Sequence, residues 1–153
     1  MHEDISIEHD LVIDAPPESV WSLLTDPDAI RRWYAFDGAV CEAVNGGRIE
    51  HRWREHGRFL GKVLQVQPYG LFQYRYAAQP ETEPQLGAST VVTFRLEPEG
   101  TGTRLFVTEH GFEQIAGSMV EARELAAVNL TAWRAGFTIL SDLARRRRGV
   151  SSP

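Results

Sequence analysis

The stretch Ser118–Arg148 constrains what this chain can fold into more than any other. At 3.6 residues per turn, Ala122, Leu125, Ala126, Ala132, Trp133, Gly136, Phe137, Leu140, Leu143 and Ala144 fall on one arc of a helix. Arg123, Glu124, Thr131, Arg134, Thr138, Ser141, Asp142 and Arg145 fall on the opposite arc. Ser118 followed by Glu121 has capping-box spacing and marks the start. Arginines in the last turn and then Gly149 mark the end. A helix of this span is about 45 Å long and needs a broad apolar surface to lie on. Asn129 interrupts the arc between Leu125 and Trp133. Its carboxamide is either a core group satisfied by backbone or water, or a polar pin in a cavity between helix and sheet.

The preceding residues supply that surface as strands. Ile5, Ile7, His9, Leu11 and Ile13 alternate with Ser6, Glu8 and Asp10, which is a half-buried strand over Ile5–Asp14. Pro17 suits the first turn of a short helix carrying Val20, Trp21 and Leu24. Asp26-Pro27 opens a second, with Ile30, Trp33 and Tyr34. The pattern then turns to β. Strands are expected at Val40–Val44, Arg48–Glu55, Phe59–Gln67, Leu71–Ala77, Ser89–Leu96 and Thr103–His110. Asn45-Gly46-Gly47, His56-Gly57, Pro68-Tyr69-Gly70 and Pro98–Gly102 are the turns, and 79–88 is a loop. Strand, two short helices, six strands in sequential hairpins and a long helix make an α+β domain. In it a curled antiparallel sheet of about seven strands has its concave face covered by the last helix. One domain over 1–148 is expected, with 149–153 as a frayed tail.

Composition narrows the functional classes. A net charge of −5 speaks against a nucleic-acid binder. The run Arg145–Arg148 reads as a solvated helix end rather than a binding patch. With Cys41 as the single cysteine, neither an internal disulfide nor a thiol-rich metal site can form. No apolar run approaches the ~20 residues of a bilayer span, and Met1–Asp14 lacks a signal pattern, so a cytoplasmic protein without membrane contact is expected. Lys62 is the only lysine among many arginines, a usage expected of a GC-rich bacterial genome.

The order of elements resembles the helix-grip fold of START-like (SRPBCC) proteins, the superfamily of the birch-pollen allergen and the polyketide cyclases. Within it, the likeness is greatest to the group named after the activator of the heat-shock-protein ATPase. It is carried by Ile13-Asp14-Ala15-Pro16-Pro17 with Val20-Trp21, by Leu24-Thr25-Asp26-Pro27 and Trp33, and by Gly46-Gly47-Arg48. Gly61–Pro68, Thr103-Arg104-Leu105, Thr108–Phe112 and Trp133 complete the set. The resemblance implies a cavity between curved sheet and long helix, suited to an apolar small molecule, and no shared catalytic residue set. His51 stands where such strands carry an apolar inward residue, which implies a polar wall. Phe106 stands where a small polar residue is common, which bears on outer packing.

Candidate lining residues come from several directions. Ile49, His51 and Trp53 share the inward face of one strand, Tyr74 lies on another, and Leu105, Val107 and Glu109 lie on the last. Asn129, Trp133 and Phe137 look back from the helix, and Trp33 and Tyr34 stand at the mouth. Aromatic walls with a few convergent polar groups suit a small apolar or aromatic ligand. The competing reading is a solid core, with His51 hydrogen-bonded and Glu109 at its wet end. Were His51 and Glu109 to share a cavity, they could act as acid and base in a cyclase or dehydratase reaction. No nucleophile elbow or phosphate-cradling loop is present, and Cys41 has no activating motif and reads as a small strand residue. No cofactor is implied. No metal site is expected either, since His51 and His56 are five apart on a strand and its turn, and His2, His9 and His110 lack paired spacing. A chaperone-linked partner domain is the third class, carried by the family resemblance alone. A homodimer is plausible because a meander leaves strand edges uncovered.

Overall fold

Seven antiparallel strands form one sheet in the order β1-β7-β6-β5-β4-β3-β2. They are β1 (Ser6–Ile13), β2 (Gly38–Cys41), β3 (Arg48–Trp53), β4 (Gly57–Gln67), β5 (Leu71–Ala77), β6 (Ser89–Glu99) and β7 (Gly102–His110). The computed structural model describes residues 4–150, with side chains for 4–147. Helices α1 (Pro17–Thr25) and α2 (Pro27–Trp33) lie between β1 and β2, and α3 (Phe112–Ile115) and α4 (Met119–Val150) follow β7. The six strands β2–β7 run as a meander, and β1 closes the sheet by pairing with β7 from Ser6↔His110 to Ile13↔Thr103. This is an α+β helix-grip fold.

Period two sorts the side chains of every long strand. Ile49 and His51 of β3, Phe72, Tyr74 and Tyr76 of β5, and Leu105, Val107 and Glu109 of β7 are all buried on the concave face. On the convex face Arg95 lies opposite Phe106 in register, its guanidinium 5.3 Å from the ring centre, so Phe106 is an outer-face packing residue. A register shift between Val63 and Gln65 bends β4 and adds to the curl.

The helix α4 crosses that hollow. Ala122, Ala126, Trp133, Phe137, Leu140 and Ala144 are buried against the sheet and α2. Each of the large ones contributes about 1.5–3 kcal/mol through burial, so the helix is held mainly by this face. Ser118 accepts the Glu121 N–H at 3.1 Å, and the Glu121 carboxylate reaches back to the Gly117 N–H at 3.0 Å. The capping pair is thus present, displaced by one residue at its return bond. Asp26 caps α2 by accepting the Asp28 N–H, with Pro27 at the first helical position.

The structure departs from the sequence reading in several details. Ala132, placed on the apolar arc, is exposed, because α4 leaves the sheet on that flank and borders an open cleft. The helix continues through Gly149 to Val150; the rest of the expected tail, 151–153, lies outside the described residues. β2 stops at Cys41 rather than Val44, because Glu42 turns to accept the Arg48 N–H and the loop folds onto β4 through Gly46 N–H to Val63 O at 2.9 Å. β6 runs on to Glu99 despite Pro98, which sits at the hairpin end where it pairs with Thr103.

Candidate functional site

A cleft of about 730 Å³ opens between α4 and one end of the sheet. Its helix wall is Leu125, Val128, Asn129, Ala132, Ala135, Gly136 and Ile139. Its other walls come from the ends of elements: Trp33, Tyr34 and Phe36 after α2, Trp53 closing β3, Phe59 opening β4, Tyr76 closing β5, and Thr90 and Glu109 on β6 and β7. Phe36 and Val128 are more than half exposed (52% and 64%), so the cleft communicates with solvent at an apolar rim. None of the described residues lining it is Lys or Arg.

Gly136 explains how the inner wall comes so close. A Cβ there would lie 3.1 Å from the Trp33 ring and 3.2 Å from its carbonyl oxygen. The missing side chain lets Trp33 lie directly on the helix. Trp33 is fixed by donating its indole N–H to Leu23 O at 2.7 Å, and Trp53 by donating to Tyr34 O at 2.8 Å. The Tyr34 ring stacks on Trp133 at 4.6 Å between centroids and 9° between planes. These rings hold one another through edge and face contacts and form a rigid wall.

The polar end of the cleft is built around Glu109. Its Oε2 accepts the Thr90 hydroxyl at 2.6 Å, and its Oε1 accepts the Trp133 indole N–H at 3.0 Å and the Asn129 amide at 3.3 Å. Thr90 reaches it diagonally, because Val92 is the residue opposite Glu109 and Thr90 lies two positions away on the same face. Burial raises the Glu109 pKa above the ordinary carboxylate range, against the lowering effect of Thr90, Trp133, Asn129 and, last, His110. Burial, and secondarily Glu109, also pushes the Tyr34 hydroxyl up. Asn129 is half-buried and bonded to a carboxylate at the cleft wall, which is the polar-pin arrangement of the two foreseen for it.

His51 stands elsewhere. It lines a void of about 10 Å³ with Ile49, Tyr74 and Trp133, room for about one water. Its Nδ1 is 2.9 Å from the Tyr76 hydroxyl, and burial pushes its pKa down to about 3, so the ring is neutral at pH 7. Trp33 and Tyr34 border both spaces, while Tyr76, bonded to the imidazole, lines the cleft that His51 itself does not reach. The structure therefore brings Glu109 to the cleft and His51 to the packed wall behind it, not to one cavity. Of the other residues singled out in the sequence, Trp33, Tyr34, Trp53 and Asn129 border the cleft. Ile49, Tyr74 and Trp133 border only the small void, and Phe137 packs between Trp33, Trp133 and Phe94. Sequence reasoning missed Thr90, Phe36 and Phe59. Thr90 shares the phase of Val92, Phe94 and Leu96 and was readable from it, whereas Phe36 and Phe59 flank turns and carry no such signal.

Cys41 is half-buried, and burial, then Asp26 and Glu42, push its thiol up to about 12, which leaves it an unreactive strand residue. Among the described residues no helix is long and apolar enough to cross a membrane.

A family profile, the activator of Hsp90 ATPase homolog 1-like protein, matches residues 14–138. The chain belongs to the activator of Hsp90 ATPase homolog 1-like family. That match runs from the end of β1 into the second half of α4 and so includes every residue bordering the cleft except Ile139. No curated protein matches the sequence. Solved structures share the family fold. The chain is similar to protein MLL2253 of Mesorhizobium loti, with a TM-score of 0.76 and 24% identity over 93% of this chain and 98% of that one. It is similar to the Aha1 dimer of Colwellia psychrerythraea, with a TM-score of 0.63 and 24% identity over 84% and 92% of the two chains. It is also similar to DynU16, a protein of the dynemicin biosynthetic locus, with a TM-score of 0.70 and 18% identity over 92% of this chain and 47% of that one. At these identities the likenesses establish the fold.

Proposed function

We propose that the protein binds an apolar or aromatic small molecule in the cleft between α4 and the sheet, without turning it over. The observation that carries this reading is the cleft itself: about 730 Å³, walled by rings from Trp33, Tyr34, Trp53, Phe59 and Tyr76, with its polar groups gathered at one end. That is the size and chemistry of a small-molecule site, with an apolar body for affinity and few polar groups for orientation. The acid–base alternative needs His51 and Glu109 beside one ligand, and His51 does not line the cleft that Glu109 borders. The support for a chaperone-linked role is the family name, and for a homodimer the Colwellia relative that is described as a dimer.

Ala132→Trp tests the binding reading. Ala132 is exposed on α4 and borders the cleft, so an indole there occupies the space without disturbing the core. Naphthalene-based ligands are expected to raise the thermal midpoint of the native protein and quench its tryptophan fluorescence saturably. The variant is expected to keep its unliganded midpoint and lose both responses. Equal binding by the two proteins would place the ligand elsewhere and refute the reading.

A further inference from the structure

The binding reading leaves the chemistry of the ligand open, and the inference here rests on that reading. The cleft holds one carboxyl group, aromatic faces along its sides and, among the described lining residues, no lysine or arginine. The groups hydrogen-bonded to Glu109 are all neutral: Thr90, Asn129 and Trp133. The indole N–H can only donate, so Oε1 is held as an acceptor. Other titratable groups around it are the phenols of Tyr34 and Tyr76, His56 at the rim, and His110 next to it on β7. Among the described residues, no lysine or arginine lines the cleft to neutralise it.

We infer that the cleft selects an organic cation, an aromatic or alkyl amine whose ammonium lies at Glu109 and whose body lies among the rings of Trp33, Tyr34, Trp53, Phe59 and Tyr76. Two independent features of the geometry converge on this. A buried carboxylate lacking a cationic partner is an expensive group to retain, and a bound ammonium supplies the missing charge. Aromatic faces attract cations through their quadrupole, most strongly where water is excluded. An anionic ligand would meet the same carboxylate as repulsion. Burial holds the Glu109 carboxyl above its usual range in the empty cleft. A bound ammonium acts in the opposite direction and favours the ionised form.

Three ligands with one aromatic body separate the possibilities: 2-naphthylmethylammonium, 2-naphthylmethanol and 2-naphthoate, titrated calorimetrically into the protein at pH 7.5. The ammonium is expected to bind at least about 10-fold more tightly than the alcohol, and the naphthoate most weakly, since a desolvated charge pair and ring contacts act only on the cation. Glu109→Gln, whose carbonyl can still accept from Trp133 and Asn129 while its amide donates to the Thr90 hydroxyl, is expected to bring ammonium and alcohol within about 2-fold of each other. Phe59→Leu is a second variant remote from the hydrogen-bonded cluster, and it should weaken the ammonium more than the alcohol. If the alcohol or the naphthoate matches or exceeds the ammonium in the native protein, the cation inference falls while the binding reading stands. If none of the three binds, both fall. If the preference for the ammonium survives Glu109→Gln at full strength, the carboxylate does not select it, and the inference is overturned.

Discussion

Acid should destabilise this protein through His51, whose burial depresses its pKa. The imidazole is 4% exposed, bonded through Nδ1 to Tyr76 and enclosed by the rings of Tyr34, Trp53 and Tyr74. Burial lowers its pKa from 6.5 to about 3. Between those two values the unfolded chain binds a proton that the folded chain refuses. The stability this group contributes is therefore complete above pH 6.5 and is lost progressively as the pH falls toward 3. Each pH unit inside that window is worth about 1.4 kcal/mol, so moving from pH 7 to pH 5 costs about 2 kcal/mol. His51→Asn keeps an amide near the Nδ1 position for Tyr76 and removes the titration. Its own packing loss lowers stability at both pH values and cancels in the comparison. Glu109 has the opposite sign: its raised pKa means stability falls as pH rises above the ordinary carboxylate range, but both proteins share that contribution. Urea denaturation followed by tryptophan fluorescence at pH 7 and pH 5 gives the four free energies. The native protein should lose about 2 kcal/mol more than His51→Asn on acidification, equivalent to roughly 4–8 °C in midpoint for a chain of this size. Parallel losses, within about 0.5 kcal/mol, would mean that His51 protonates freely in the folded state and is not enclosed by the packed wall.

Two further outcomes are expected. Gly47→Ala should destabilise by at least about 2–3 kcal/mol in the same denaturation assay, because the added Cβ would drive into the Glu42 carbonyl and lie 2.9 Å from Val44 O in the loop that closes on β4; a midpoint unchanged within ~2 °C would show that the loop yields. If the protein self-associates as the Colwellia relative does, light scattering on a sizing column will give twice the 17.2 kDa chain mass, independent of dilution over the micromolar range; a single-chain mass throughout would exclude the homodimer.

Architecture was legible because two periodicities carry it. Alternation in β1, β3, β5 and β7 assigned each side chain to a face, and the 3.6 pattern of α4 identified the element that covers the concave one. What alternation cannot give is depth. Ile49, His51, Tyr74, Trp133 and Phe137 all point inward as read, yet they fill the interior and leave a void of only about 10 Å³. The open space lies where strand ends and turns present Phe36, Phe59 and Ala132, whose places depend on how chain ends meet rather than on any repeat. The sequence reading left open that His51 and Glu109 share a cavity, because both are polar and inward on their strands. Tyr76, itself one of the inward aromatic row, takes the imidazole's hydrogen bond and lines the cleft where His51 does not. Glu109 stood out for a sound reason: it breaks the apolar row of Leu105 and Val107, and a carboxylate there requires partners.

Those partners tie the polar end of the cleft to the fold. Asn129 and Trp133 are one turn apart on α4 and both donate to the same oxygen of Glu109, while Thr90 holds the other from the sheet. A slide of the helix by one residue would withdraw both donors and strand a buried acceptor at a cost of about 1–3 kcal/mol each, whereas the apolar contacts of Phe137 and Leu140 tolerate small shifts far better. The carboxylate thus fixes the position of α4 on β7 more sharply than the hydrophobic face can. The same group that registers the helix also lines the cleft. Under the binding proposed above, a ligand engaging Glu109 would act directly on the contact that sets how the helix sits, so that an occupied cleft and a well-positioned α4 would stabilise each other.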